Sequence, residues 1–143
     1  MKTKIAHIFN ILVLTTVMVG YSDGESGSIP HTYVDFGFYI YEPEYINLSI
    51  IMGATKKSGV GYDGKGVIVF RSGDNEYKAF DATCPQHTKD CVSVELNGNG
   101  TGTASCPRCG TVYYLMNNGY STDGHQLKQY RVSVNGDYVH VYN

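Results

Sequence analysis

From Tyr33 to Ile40 the chain alternates, with Val34, Phe36, Phe38 and Ile40 on one side and Tyr33, Asp35, Gly37 and Tyr39 on the other. A period of two marks a half-buried strand. Tyr45 to Ile51 reads as a second strand, and the glycine-rich stretch from Gly53 to Gly66 as a loop or irregular hairpin connection. Val67 to Arg71 and Glu76 to Phe80 flank Ser72-Gly73-Asp74-Asn75, which is turn chemistry between two strand-like runs and so predicts a hairpin. Val92 to Leu96, Thr103 to Ser105, Thr111 to Leu115, Gln129 to Val134 and Tyr138 to Tyr142 are further strands, separated by turns at Asn97-Gly98, Asn118-Gly119 and Asn135-Gly136. The last pair is the clearest hairpin, because Asn-Gly readily takes the positive φ values of a tight connection. No long helical period follows residue 20, so the pattern predicts an all-β sandwich or barrel.

Composition agrees. Seventeen glycines and thirteen tyrosines suit short strands joined by tight turns. A chain of 143 residues has room for one domain and one core. The net charge of -2, with scattered lysines and arginines, offers no basic stripe to neutralise phosphates and excludes a nucleic-acid partner.

The N-terminus carries Lys2 and Lys4, an apolar run from Ile11 to Val19 ending at Gly20, and then the polar Ser22-Asp23-Gly24-Glu25-Ser26-Gly27-Ser28. This predicts a signal peptide over 1–20, a flexible tether over 21–31 and a folded domain over 32–143. The run is short for a membrane span, which needs roughly 20 apolar residues. Met18-Val19-Gly20-Tyr21 resembles a bacterial lipoprotein signal, with Tyr21 standing where the lipid-accepting cysteine belongs. Such signals and tethers are common in exported lipoproteins of Bacteroidetes. The resemblance implies a periplasmic, surface or secreted location, with membrane attachment only through an uncleaved signal or a lost lipid anchor.

All four cysteines fall between Asp81 and Gly110: Cys84, Cys91, and then Cys106-Pro107-Arg108-Cys109. A Cys-x-x-Cys turn aims two thiolates at one ion, and two thiol pairs on neighbouring loops make a tetrahedral site suited to zinc or iron. Cys84 and Cys91 are too far apart for a tight zinc knuckle. With His87 between them, the candidate donors are Cys84, His87, Cys91, Cys106 and Cys109.

The surroundings narrow the reading. Phe80-Asp81-Ala82-Thr83-Cys84-Pro85, then Cys106-Pro107-Arg108-Cys109-Gly110 followed by Thr111-Val112-Tyr113-Tyr114-Leu115, Gly124 and Leu127-Lys128-Gln129-Tyr130, resemble the Rieske family over roughly residues 65 to 143. The resemblance implies a small Rieske-like β-sandwich or barrel with a two-loop subdomain over 81–110. It also implies a [2Fe-2S] cluster for electron transfer, with a redox or envelope protein as partner. In that family each loop supplies one cysteine and one histidine. Cys84 and Cys106 match the cysteines, but Gln86 stands in the first histidine's place, with His87 one residue later, and Cys109 in the second's. Cys91 lies near a loop cysteine that forms a disulfide in some respiratory members, where the partner's place is Arg108 here.

Export favours zinc over the cluster on chemical grounds. Iron-sulfur clusters are built in the cytoplasm and travel in folded proteins by the twin-arginine route, whereas this N-terminus has no arginine. Two further readings stand beside the metal. Four cysteines in an exported domain are often two disulfides, with three possible pairings and about 2 to 4 kcal/mol each, and then the chain is a binding or structural module without a cofactor. A redox-active Cys106-Cys109 dithiol is the other, although such thiols usually sit at a helix N-terminus. His125 is either a ligand or a solvated loop residue, His140 lies on the outer side of its strand, and the tyrosines cover the sheet or line a binding face. No catalytic triad or paired-carboxylate cleft is visible, so catalysis is not expected.

Overall fold

The computed structural model describes residues 29–143. The expected signal peptide and the tether up to residue 28 lie outside them. Among the described residues, ten strands form two antiparallel sheets. The larger holds β1 (Asp35–Tyr39), β2 (Ala54–Lys57), β3 (Val67–Gly73), β4 (Glu76–Asp81), β9 (Gln129–Asn135) and β10 (Tyr138–Tyr142), in the order β1-β10-β9-β4-β3-β2. The smaller runs in chain order through β5 (Glu95–Leu96), β6 (Thr103–Ser105), β7 (Val112–Tyr114) and β8 (Tyr120–Ser121).

The apolar run Val67-Ile68-Val69-Phe70 shows how the sheets are joined. All four are buried, because β3 is covered on both faces. Val67 and Val69 pack with Val34, Phe38, Leu48, Val139 and Val141 in one core. Ile68 and Phe70 face the other way, into a second core with Phe80, Val94, Ala104, Tyr113 and Leu115. That second core also contains Cys84 and Cys106. The alternation expected from Val34 to Ile40 holds, with Val34, Phe38 and Ile40 buried and Tyr33, Asp35 and Tyr39 exposed.

Three expectations need correction. Residues Tyr45 to Ile51 are not a strand, since Pro43–Ser49 forms a 3-10 helix with proline in its first turn. Its buried residues, Tyr45 and Leu48, are three apart, the period of that helix, while Ile46 and Ile50 are exposed. The stretch from Gly53 to Gly66 is more than a connection, because it contains β2, paired with β3 from Ala54↔Phe70 to Lys57↔Val67. Within Val92 to Leu96 only Glu95–Leu96 is strand. At the N-terminal end packing reaches Ile29, which is buried, and the Lys128 ammonium donates to the Pro30 carbonyl (2.8 Å).

Asp81 ends β4 and begins the first cysteine loop. It is fully buried. One carboxylate oxygen accepts from the Tyr130 hydroxyl (2.6 Å) and the Tyr62 backbone N–H (2.7 Å), and the other from the Thr83 N–H (2.8 Å). Burial, and then the carboxylate, push the Tyr130 phenol well above its ordinary range, so it stays a donor. Gly61 passes so close that a Cβ there would lie 2.8 Å from the carboxylate and 2.7 Å from the Gly66 carbonyl. Asp81 thus ties β9, the 62–64 turn and the loop into one junction.

Replacing it should therefore act on more than one element. Asp81→Ala leaves a buried hydroxyl and two backbone N–H groups unpaired and should cost about 3 kcal/mol or more, while Tyr130→Phe, which removes one donor to a charged acceptor, should cost about 1.5–3 kcal/mol. Denaturant unfolding of the two variants checks both the sizes and the order.

Candidate metal centre

The first loop leaves β4 at Asp81. Cys84 is anchored by its backbone N–H to the Val92 carbonyl (2.8 Å), and a 3-10 turn over Pro85–His87 closes with the His87 N–H on the Cys84 carbonyl (2.9 Å). That turn carries His87 back over Cys84. The second loop is the tip of the β6–β7 hairpin, paired up to Ser105↔Val112. The Cys106 N–H donates to the Thr111 carbonyl (3.0 Å) and the Gly110 N–H to the Cys106 carbonyl (2.8 Å). Gly110 turns at φ 74, a value that glycine takes at no steric cost.

These loops bring together one donor atom each from Cys84, His87, Cys106 and Cys109, all within 4.8 Å of one another. Cys84 and Cys106 are buried, His87 is half-buried and Cys109 is exposed, so the group opens to the surface on one side. The Cys84 and Cys109 sulfurs are 4.0 Å apart, and all four cysteines are free thiols. Cys91, also a candidate ligand, is not in the group. Its backbone turns at φ 48, and its thiol donates to the Thr88 carbonyl (3.3 Å) in its own loop.

The electrostatics of the thiols differ sharply. Burial pushes Cys84 up to about 12, against a lowering by the Tyr113 hydroxyl, which lies 3.3 Å from its sulfur. Tyr113 is itself raised, by burial first and Cys84 second, so its hydroxyl keeps its proton and can donate to a Cys84 thiolate. At Cys109 burial also raises, but the Thr111 side chain and backbone outweigh it, with help from Cys106 and His87, and the thiol falls to about 6. His87 carries a further signal. Its Nε2 is buried and has no hydrogen-bond partner. An orphaned imidazole nitrogen beside three thiols is a donor set that lacks its acceptor, and a soft or borderline metal ion fits it.

The loops are braced across the opening. Arg108 pairs with Asp90 (2.5 Å), and the Gln86 amide nitrogen donates to Thr111 Oγ1 (2.9 Å) and to the Asp123 carboxylate (3.3 Å). Sequence reasoning gave Gln86, Thr111 and Asp123 no role, since they lie 25 and 37 residues apart in the chain. His125 is not a donor to the group; it lines a neighbouring cleft with Pro85, Asp123 and Lys128. His140 meets Asp35 (2.7 Å) on the far sheet, and His31 lies beside Asn143.

No family model matches the chain, and no curated protein matches it either. Among solved structures it is similar to the small subunit of an NADH-dependent nitrite reductase from Mycobacterium tuberculosis, at 18% identity and a TM-score of 0.46, over 79% of this chain and 97% of that one. A nitrite reductase NADPH small subunit gives 19% and 0.43 over 78% and 98%. The ferredoxin of carbazole 1,9a-dioxygenase from Nocardioides aromaticivorans IC177 gives 21% and 0.41 over 59% and 86%. All three scores fall below 0.5.

The orphaned imidazole makes a two-way prediction. In metal-free protein His87→Leu removes a buried, unpaired nitrogen and should stabilise the fold by roughly 1–3 kcal/mol. With metal present the same change deletes a ligand and should destabilise it. Thermal unfolding of both proteins, with and without chelator, reads the reversal.

Proposed function

We propose that this chain is a small metal-binding protein that holds one tetrahedral ion, zinc, through Cys84, His87, Cys106 and Cys109. The observation that carries the proposal is the mutual approach of the four donors to within 4.8 Å. One zinc with Zn–S distances near 2.3 Å sets its sulfur ligands about 3.8 Å from one another. The Cys84 and Cys109 sulfurs, at 4.0 Å, are already close to that spacing. A two-iron cluster instead takes two ligands on each iron, and ligands of different irons must stand farther apart than ligands of one ion. Three thiols and one imidazole also fill every position of a tetrahedral site, as in structural rather than catalytic zinc centres.

The ion would pin the hairpin tip to the first loop and so complete the core that Cys84 and Cys106 already belong to. The N-terminal sequence supports export of the chain, with zinc taken up after crossing, when no assembly machinery is needed. Electron transfer by a two-iron cluster is the other reading of the same loops, suggested by the sequence resemblance. Metal content decides between them.

Protein purified without oxygen and without a metal-binding tag should contain one zinc per chain and no acid-labile sulfide. Cys106→Ser should lose the zinc, and Cys91→Ser should keep it. Iron with labile sulfide would replace zinc by a cluster, and absence of both metal and free thiols would leave a disulfide-stapled scaffold.

Zinc uptake should also release protons. Cys84 is protonated at neutral pH in the metal-free protein and must ionise to bind, so protons compete with the metal and affinity should rise with pH between 6 and 8. Calorimetry in two buffers of different ionisation enthalpy gives the proton count, expected to be at least one at pH 7.5. A count of zero would show that Cys84 is not a ligand.

A further inference from the structure

Four hydrogen bonds outside the donor group form a line that ends on one of its sulfurs. Asp123 accepts from the Ser121 hydroxyl and from the Gln86 amide nitrogen (3.3 Å). A carboxylate only accepts, so Asp123 fixes which end of the Gln86 amide faces inward: the nitrogen. That nitrogen also donates to Thr111 Oγ1 at 2.9 Å. Thr111 Oγ1 then meets the Cys109 sulfur at 3.3 Å.

We propose that Gln86 is a positioning residue for Cys109, acting through Thr111. The inference rests on the metal-centre reading above and adds a residue whose side-chain amide bonds to Thr111 and Asp123 and to none of the four donors, although its backbone N–H reaches Cys84. A bound thiolate has no hydrogen to give, so the Thr111–Cys109 contact survives metal binding only if the Thr111 hydroxyl turns to donate. The Gln86 nitrogen occupies a lone pair of that hydroxyl and has no acceptor to offer it. The remaining hydrogen is thereby left for the sulfur. A glutamine that stands where a ligand is expected from the sequence works instead one layer out, aiming a donor at the most exposed of the three sulfurs.

Outer-layer partners of metal ligands are typically worth about 10–100-fold in affinity. The test uses the full chain loaded with cobalt(II), which reports sulfur ligation by a charge-transfer band, and zinc affinity from competition with a chromogenic chelator. Gln86→Ala and Thr111→Val should each weaken zinc binding about tenfold. Both should move the sulfur-to-cobalt band to lower energy, because a sulfur that loses a hydrogen bond gives up its electrons more readily. The double variant should be no weaker than Thr111→Val alone, since Gln86 acts through that hydroxyl. Gln86→Glu keeps the length but offers only acceptors, so it draws the Thr111 hydrogen away from the sulfur and should fall with Gln86→Ala.

A merely structural role would lower the thermal stability of the metal-free variants and leave the band in place. The band is read on the bound fraction and stays informative where affinity falls. Wild-type affinity in Gln86→Ala to within twofold, an unmoved band, or additive effects in the double variant would overturn the proposal. Failure of the unmodified chain to take up cobalt would overturn the metal reading itself, and this inference with it.

Discussion

Cys84 and Cys106 are core residues before they are anything else. They are buried between the two sheets with Phe70, Phe80, Val94, Tyr113 and Leu115, and the packing that joins the sheets fixes both sulfurs. A loop on the surface can spread to relieve crowding; these two anchors cannot move without opening the core. The other two donors hang from the anchors by short turns, His87 three residues beyond Cys84 and Cys109 three beyond Cys106. The close approach of the four groups therefore follows from core packing, and the same burial raises Cys84 to about 12, whereas at exposed Cys109 the Thr111 hydrogen bonds outweigh burial and lower the thiol to about 6.

The larger sheet delivers the first loop to this place. Strand β3 faces two cores, β4 runs beside it, and Asp81 at the end of β4 is held by β9 through Tyr130 and by the 62–64 turn through Tyr62. Three hydrogen bonds to one buried carboxylate fix the exit direction of the chain more tightly than apolar contacts, which have no preferred angle. Across the opening the bracing is lighter. The Arg108–Asp90 pair is exposed, and pairs of that kind contribute about 1 kcal/mol at most. The core side of the centre is rigid and the solvent side is held by side chains, so access to Cys109 is set by groups that a substitution can alter without unfolding the domain.

Much of this was legible in the sequence where the period of burial and the period of the chain agree. Val34 to Ile40, the β3–β4 hairpin and the Asn135-Gly136 hairpin all read correctly for that reason. Tyr45 to Ile51 did not. Ile46, Leu48 and Ile50 alternate like a strand, but Pro43 starts a 3-10 helix and burial falls on Tyr45 and Leu48 instead. Ala54 to Lys57 carries no alternation at all and is a strand only because β3 offers it an edge. Among the candidate donors that spacing singled out are Cys84, His87, Cys106 and Cys109, which the folded loops bring within 4.8 Å of one another. Spacing could not separate Cys91, whose thiol turns to the Thr88 carbonyl of its own loop, nor reveal Gln86 and Thr111, which meet only after the loops are folded.

X-ray absorption at the zinc edge of the zinc-loaded protein counts the neighbours of the ion and measures their distances. A zinc held by Cys84, His87, Cys106 and Cys109 should show one shell of three sulfurs near 2.3 Å and one nitrogen near 2.0–2.1 Å, with no second metal in range. A metal neighbour bridged by sulfide, or a shell without nitrogen, would contradict that ligand set.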